Sequence, residues 1–548
     1  MNFYDDRDVR FSYFFWIGLL LVMLIRSFFF GITYFNFLDD YNTYGIFNRL
    51  NDDIFNNIIL WYGLYTFRPI AFFADAYITQ WFWPNMWLVL LFYTFMHFAT
   101  VFIFYRVLKY LNINFGAFGI IIISLTPILF EAVYWIGAST RLVPGMFFSI
   151  LSSYFLLYHL ELQENRIYSR RYLILYAVFN FLSTGFYEQI VVFNFIFTCT
   201  VIFLSYHKIQ KRSRLIVSVP FLSTAFMVLF YFLLAPHGKV ASRGELVPFN
   251  ELFGHVTRVI LSIANLLINV NWDISINGFF KGMTLIGAPL QLIGFLVVVI
   301  FTVVTFLSLT KKYLAFEDSF SEKYLLRLFI GFILTMTAFG PFYVLQNPFM
   351  APRTVYPAIF GIAIFLDTLL TMASSIKIFN FRFEMLKPIV STMLIIPFFI
   401  IYIAEVNNFR LLEEVDRQVM SNFLSAFAET DIHEETTIIL FNTQYTYAET
   451  TTQGHRLENI TSSDWALKGK ANATSDEFRF TDMQPIQNER LISREWATNE
   501  KGLFGIDEDL NIYHLYLNNN TLLVNNTDVV FGTLEDYDDE NVMFMRYS

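Results

Sequence analysis

The sequence predicts an α-helical polytopic membrane protein of about eleven transmembrane helices, with a small α+β extracytoplasmic domain at its C-terminal end. Three observations predict it. The 548 residues are 56% hydrophobic and 20% aromatic, with a mean hydropathy of +0.49, and only 15% are charged; a water-soluble globule carries roughly a quarter charged residues. Apolar runs of about 18 to 25 residues recur, long enough to cross a hydrocarbon core at about 1.5 Å per residue. Beyond residue 405 the composition turns abruptly to Asn, Thr, Asp and Glu.

Taken in order, the predicted spans are 12–33, 86–108, 113–131, 142–160, 172–186, 188–206, 215–235, 283–308, 326–346, 355–375 and 387–405. The first is too long and too aromatic for a cleaved signal peptide, and no small-residue cleavage site follows it. Orientation comes from cations in the short loops. Arg7/Arg10, Arg106–Lys109, Arg166–Arg171, Lys208–Arg214, Lys311–Lys323 and Lys377–Lys387 all fall on one side, which reads as a cytoplasmic N-terminus in a cell membrane. The single cysteine, Cys199, excludes a disulfide framework or a Cys-based metal site. The net charge of -9 arises from acids in the C-terminal quarter, and no basic surface for nucleic acid is visible.

Three outer regions are large. Residues 34–85 contain two short amphipathic stretches that suit interfacial helices. Residues 236–282 read as a mixed polar loop with Lys239, Arg243 and Arg258. Residues 406–548 form the outer α+β domain, leaving 1–405 as the transmembrane domain. This tail opens on a helical pattern, "NNFRLLEEVDRQVMSNFLSAFAE", and continues as strands: "TTIILFNTQY", "NIYHLYL", "TLLVNN" and "DVVFGTL".

Ionisable groups at membrane depth are costly and usually face a cavity, so their positions are informative. Asp39 and Asp40 stand just beyond the first span, and a carboxylate beside another can be tuned as a general base. Arg68 opens "TFRPIAFFADAY". Glu131, Trp135 and Arg141 lie in "TPILFEAVYWIGASTRLVPG", Glu188 lies in "GFYEQIVV", and Arg353 sits in "QNPFMAPRTVYP". Each alone has a bland reading: a solvated helix end, an arginine at lipid headgroups, an interfacial glutamate. All fall on the outer side at similar depth, and arginine's planar fork suits phosphate oxygens. His97, inside the second span, reads as a packing histidine in a supporting role. Arg26, inside the first, is expected to pair with an intramembrane acid. No HExxH-type spacing marks a metal site.

The order of these motifs resembles the GT-C superfamily of polytopic glycosyltransferases, nearest to the protein O-mannosyltransferase-like branch. "DDY" is similar to its acidic motif. "FRPIAFFADAY" followed by "MHFATVFIFYRVLKYL" is similar to its Arg-Pro segment and histidine-bearing helix, and "TPILFEAVYWIGASTRLV" to its Pro…Glu…Trp…Arg pattern. "GFYEQIVV" resembles a Lys-Glu segment, with Tyr187 in place of the lysine. The resemblance covers roughly the first 200 residues; Arg353 matches by position alone, and no tetratricopeptide repeats follow, as in a bacterial member.

The resemblance implies inverting transfer of a sugar from a polyprenyl-phosphate donor to a hydroxyl, with Asp39 or Asp40 as base. Arg353, Arg141 and Arg68 would bind the donor phosphate, with Arg68 alternatively holding the outer loop. Glu131, Glu188 and His97 would support them. No cofactor or metal is required, although some superfamily members use a divalent ion. The expected partners are the lipid-linked sugar, membrane lipid, and an outer-surface glycan or cell-wall polymer as acceptor. A transporter of lipid-linked sugars, or another membrane enzyme of surface-polysaccharide assembly, remains open on the sequence alone.

Overall fold

An apolar run in a bilayer has no water for its amides, so it satisfies them internally as a helix. The computed structural model describes residues 6–45, 68–165, 170–206, 214–234, 245–313, 323–375, 377–378, 381–382, 385–448, 457–475, 477–487, 491–493, 502–525, 527–536 and 542–547. The interfacial stretches expected within 46–67 lie outside the described residues, as do Lys239, Arg243 and most of the basic-loop residues at 208–213 and 314–322.

The helices are α1 (Asp6–Ser27), α2 (Pro69–Tyr77), α3 (Trp87–Tyr110), α4 (Ala117–Leu125), α5 (Ile136–Glu164), α6 (Arg170–Thr184), α7 (Glu188–Leu204), α8 (Arg214–Leu234), α9 (Leu252–Thr284), α10 (Pro289–Tyr313), α11 (Lys323–Ala338), α12 (Ile359–Ser375) and α13 (Leu386–Ala428). Among the described residues, α3, α5, α9, α10 and α13 are long and apolar enough to cross a membrane, and shorter apolar helices accompany them. The chain is a membrane-embedded, mostly helical protein.

The eleven expected spans are not recovered one for one. The run 113–131 breaks after Leu125 into a 3₁₀ turn at Pro127–Leu129 and a single α-turn at Phe130–Val133. Its nine-residue helix is too short to cross, and it is buried along nearly its whole length. The expected polar loop 236–282 is instead largely helical: α9 runs 33 residues, with a π-turn at Leu266–Val270. One stripe of α9 (Val259, Ile263, Leu266, Ile274) is buried, and another (Phe253, Leu261, Ile268, Trp272, Phe280) is exposed.

Although α9 is long enough to span, its contacts set both ends at one end of the bundle. Near its start, His255 Nε2 donates to the Phe342 carbonyl at 3.0 Å, in the loop that leads to Arg353. Near its end, Gly282 seats directly on the Ile400 backbone, two residues before the Tyr402 ring that Arg26 covers at the close of α1. The helix therefore lies across the rim.

Close helix crossings hold the bundle. Gly331 of α11 and Gly361 of α12 meet backbone to backbone, where any Cβ would collide; small residues permit such approach when hydrophobic exclusion cannot drive helices together in lipid. Ser149 of α5, Asn180 of α6, and Asn194 and Thr198 of α7 form a buried hydrogen-bonded network at 2.9–3.3 Å. At the opposite end from the rim, Lys387 and Asp367 form a buried ion pair at 3.3 Å, and Asp367 also accepts from the Gly116 amide.

The boundary expected at 405/406 falls inside α13, which continues unbroken to Ala428 and carries the bundle into the C-terminal domain. That domain holds helix α14 (Asp464–Thr474) and strands β1 (Ile438–Thr443), β2 (Met483–Gln487), β3 (Leu491–Ser493), β4 (Gly502–Ile506), β5 (Ile512–Asn518), β6 (Thr521–Val524), β7 (Val530–Asp536) and β8 (Val542–Tyr547). The sheet order is β2-β1-β4-β5-β6-β7-β8-β3, parallel at β2-β1-β4 and antiparallel elsewhere. β2 carries Pro485 and lies at the edge, where a missing amide donor is tolerated.

Candidate functional site

The site is assembled where the loop after α1, the start of α2, the start of α5 and the loop before α12 meet. Leu38 takes φ +34°, a left-handed value rare for an L side chain. Beyond this twist, Asp40 turns inward and Asp39 outward. Asp40 is fully buried: its Oδ2 accepts from Tyr34 Oη at 2.5 Å and the Phe37 amide at 2.9 Å, and its Oδ1 accepts from the Gly137 amide at 3.0 Å. Burial pushes its carboxyl up to about 7, against the three donors. So committed a carboxylate anchors the loop to the first turn of α5 and cannot reach a substrate. Its expected candidacy as a base is corrected by this geometry.

Asp39 is half-buried and makes no hydrogen bond or ion pair with any described residue. It stands within electrostatic reach of both Arg353 and Asp75. Three carboxylate–guanidinium pairs stand at this end of the bundle, two of them (Glu131–Arg353 and Asp75–Arg141) within its electrostatic reach. Glu131 pairs with Arg353 Nη1 and also accepts from the Arg353 amide at 3.2 Å. The Arg353 guanidinium lies 5.0 Å over the Trp135 ring and 5.0 Å from that of Phe349. Burial alone would lower its pKa, but Glu131 and its neighbours raise it further, so it stays charged.

The second pair was not singled out in the sequence. Asp75, one turn from the end of α2, is buried; its Oδ1 accepts from Tyr44 Oη at 3.0 Å, and its Oδ2 lies 3.9 Å from Arg141 Nε. Burial pushes its carboxyl up to about 6. Its signal was an acid in an otherwise apolar stretch, seven residues after Arg68.

The third pair is Arg68–Glu188. Arg68 Nε and Nη2 grip the carboxylate at 3.0–3.2 Å while the guanidinium covers Tyr187 at 4.1 Å. Beside it the Ile70 amide donates to the Gly185 carbonyl at 3.0 Å, pinning α2 to the end of α6. Arg68 thus joins the start of α2 to the start of α7 through Glu188. No family model, curated protein or solved structure matches the chain.

His97 is buried in α3 and lies 2.8 Å from Tyr356 Oη, three residues beyond Arg353, so it braces the Arg353 loop from within the bundle. Arg26 is corrected: it is buried over the Tyr402 ring, 4.2 Å away, rather than against an acid. Among the described residues, no group of three or more His, Cys, Asp or Glu side chains is placed to hold a metal ion.

The C-terminal domain roofs the aspartate loop. Lys470 of α14 is buried over the Tyr41 ring, 4.0 Å from its centre, and burial lowers its pKa. A Cβ on Gly469 would come 3.0 Å from the Asn42 amide, and one on Gly45 would overlap Ala473. Asn36 Nδ2 donates to Glu413 of α13 at 3.2 Å.

Proposed function

We propose that this protein is a membrane glycosyltransferase that moves a sugar from a polyprenyl-phosphate donor to a hydroxyl of an outer-surface glycan or cell-wall polymer. The observation that carries the reading is Asp39: a half-buried carboxylate with no described partner, within reach of two arginine–carboxylate pairs at the rim of a membrane bundle. In the reaction, the acceptor oxygen attacks the anomeric carbon from the face opposite the phosphate. The acceptor's proton passes to Asp39, the carbon–oxygen bond to the phosphate breaks, and the lipid phosphate leaves with the electron pair, inverting the centre. A positioned carboxylate contributes roughly 10²–10⁴-fold to such a step.

Arg353 and Arg141 are assigned to the departing phosphate. Arg353 meets Glu131 through Nη1, and a guanidinium's five donors leave its other N–H groups for phosphate oxygens. An apolar groove of about 440 Å³ supports the lipid half of the reading. Phe181 of α6 and Leu222, Phe226 and Leu229 of α8 line it, and Tyr231, farther along α8, comes within electrostatic reach of Arg68 and Glu188. The carrier chain could remain in lipid there while its headgroup reaches the rim.

The test is purified Asp39→Asn in lipid nanodiscs, assayed for transfer from polyprenyl-phosphate sugars to a glycan acceptor. A loss of at least 100-fold with an unchanged melting temperature is expected. Turnover equal to the parent protein overturns Asp39 as base.

A further inference from the structure

The loop that carries Arg353 leaves α11 at Ala338 and rejoins the bundle at Thr354, and one side chain holds both of its ends. Gln189, the second residue of α7, is fully buried; its Nε2 donates to the Ala338 carbonyl at 2.9 Å and to the Thr354 carbonyl at 3.1 Å. The Ala338 carbonyl closes a helix, where backbone acceptors lack an intrahelical donor. A primary amide carries two hydrogens on one nitrogen, so it serves both carbonyls at once. Its Oε1 has no hydrogen-bond partner among the described residues, which leaves the two carbonyls to orient the amide.

Other contacts hold the middle of the loop. The Val247 amide donates to the Val344 carbonyl and the Gln346 amide to the Glu245 carbonyl, each at 2.9 Å, so this stretch follows the segment before α9. Gly340 seats on α7 one turn beyond Gln189, where a Cβ would stand 2.9 Å from Val192 Cγ1. At the far end the 3₁₀ turn Pro352–Val355 stiffens the backbone, and Glu131 takes the Arg353 guanidinium and amide. Thr354 adjoins Arg353 in that turn, so moving its carbonyl swings the whole turn and the guanidinium with it. Misplacing a positioned group by about 1 Å can cost on the order of 10²-fold in rate. The residue before Gln189 is Glu188, which grips Arg68, so the first turn of α7 sets two arginines of the rim.

We propose that Gln189 is the positioning residue for Arg353: by joining the two ends of the loop, it sets where the guanidinium meets the lipid phosphate. This rests on the glycosyltransferase reading, in which Arg353 serves the departing phosphate. Gln189 itself touches no substrate and acts only through the loop, so its removal matters where Arg353 is present to be misplaced.

The experiment is a double-mutant cycle on the full chain in nanodiscs: the parent, Gln189→Met, Arg353→Gln and the pair. Transfer is measured from short-chain polyprenyl-phosphate hexoses (mannose, glucose and galactose forms), and calorimetry measures binding of the same polyprenyl phosphate without sugar. Gln189→Met keeps the length of the side chain and removes both donors. It should lower kcat/KM roughly 10–100-fold in the parent background and less than about 2-fold where Arg353 is already replaced. Asn194→Leu breaks buried hydrogen bonds on the same helix away from the loop, so it should lower the melting temperature comparably and keep transfer below its melt. Gly340→Ala presses the same loop off Val192 and carries the cycle where Gln189→Met does not fold. Equal losses in both backgrounds, or parent-like turnover of Gln189→Met, overturn the positioning role and leave the Asp39 chemistry standing. If the parent transfers none of the three sugars, the glycosyltransferase reading falls, and the same cycle read as affinity for the bare lipid phosphate still decides whether Gln189 acts through Arg353.

Discussion

The left-handed turn at Leu38 sends two chemically identical neighbours to different environments. Asp40 accepts three hydrogen bonds in a dry pocket, and Asp39 is left to the cleft. Asp40→Asn can offer an acceptor on only one of its two sides, so it should cost roughly 1–3 kcal/mol, read as a lower melting temperature. The pH dependence has a definite sign. A carboxyl with an ordinary value of 3.8 that is raised to about 7 in the folded protein holds a proton there that the unfolded chain has lost. Stability therefore falls as pH climbs from about 4 to about 7, and Asp40→Asn should flatten that slope, leaving the smaller contributions of Asp75 and Asp416, which end near their raised values of about 6. Thermal melts of both proteins across that range check it. "DDY" in a sequence announces acids at a membrane boundary, but which of the two is spent on the fold depends on Tyr34, Phe37 and Gly137 closing around one of them.

Among the elements, α14 and α9 carry the surprises. α14 has a mixed, weakly patterned sequence that no helical periodicity marks, yet its small face seats on the aspartate loop through Gly469 and Gly45. Gly469→Val should push α14 off Asn42, lower the melting temperature and reduce transfer together, whereas Thr474→Ala, on the same helix at an exposed position, should change neither. Strand β4, "GLFGI", escaped notice because its two glycines carry no β signal; it is buried at every position because it lies in the middle of the sheet. The asparagines and charges of α9 obscure its two apolar stripes in the sequence. Spin labels on Leu261, Ile268 and Phe280 should report one shallow depth in nanodiscs, since the contacts of α9 lay it along the rim; a steady change in depth along the three would make it a span.

For the molecule as a whole, α13 is the organising piece. It begins beside the buried Lys387–Asp367 pair, runs through the core past Tyr402, and leaves the bundle to support the sheet, all as one helix after the turn at Leu394. Asp416 on its outer half accepts from Asn459 Nδ2 at 2.9 Å and the Ile460 amide at 3.0 Å, fastening the C-terminal domain to the same helix. The roof over Tyr41, Asn42 and Gly45 is thus joined to the membrane part, which makes the domain part of the aspartate loop's support.

Membrane character, the helical class, the positions of most apolar helices, the α+β tail and the gathering of acids and arginines at one rim follow from composition and spacing. They follow because hydrocarbon excludes unsatisfied amides and unpaired charge wherever they occur along the chain. The pairing of each arginine with its own carboxylate, the separation of Asp39 from Asp40, the recruitment of Asp75 and the docking of α14 on the loop were decided by tertiary structure. Each depends on atoms from segments tens to hundreds of residues apart meeting within a few ångströms, and local periodicity carries no record of such meetings.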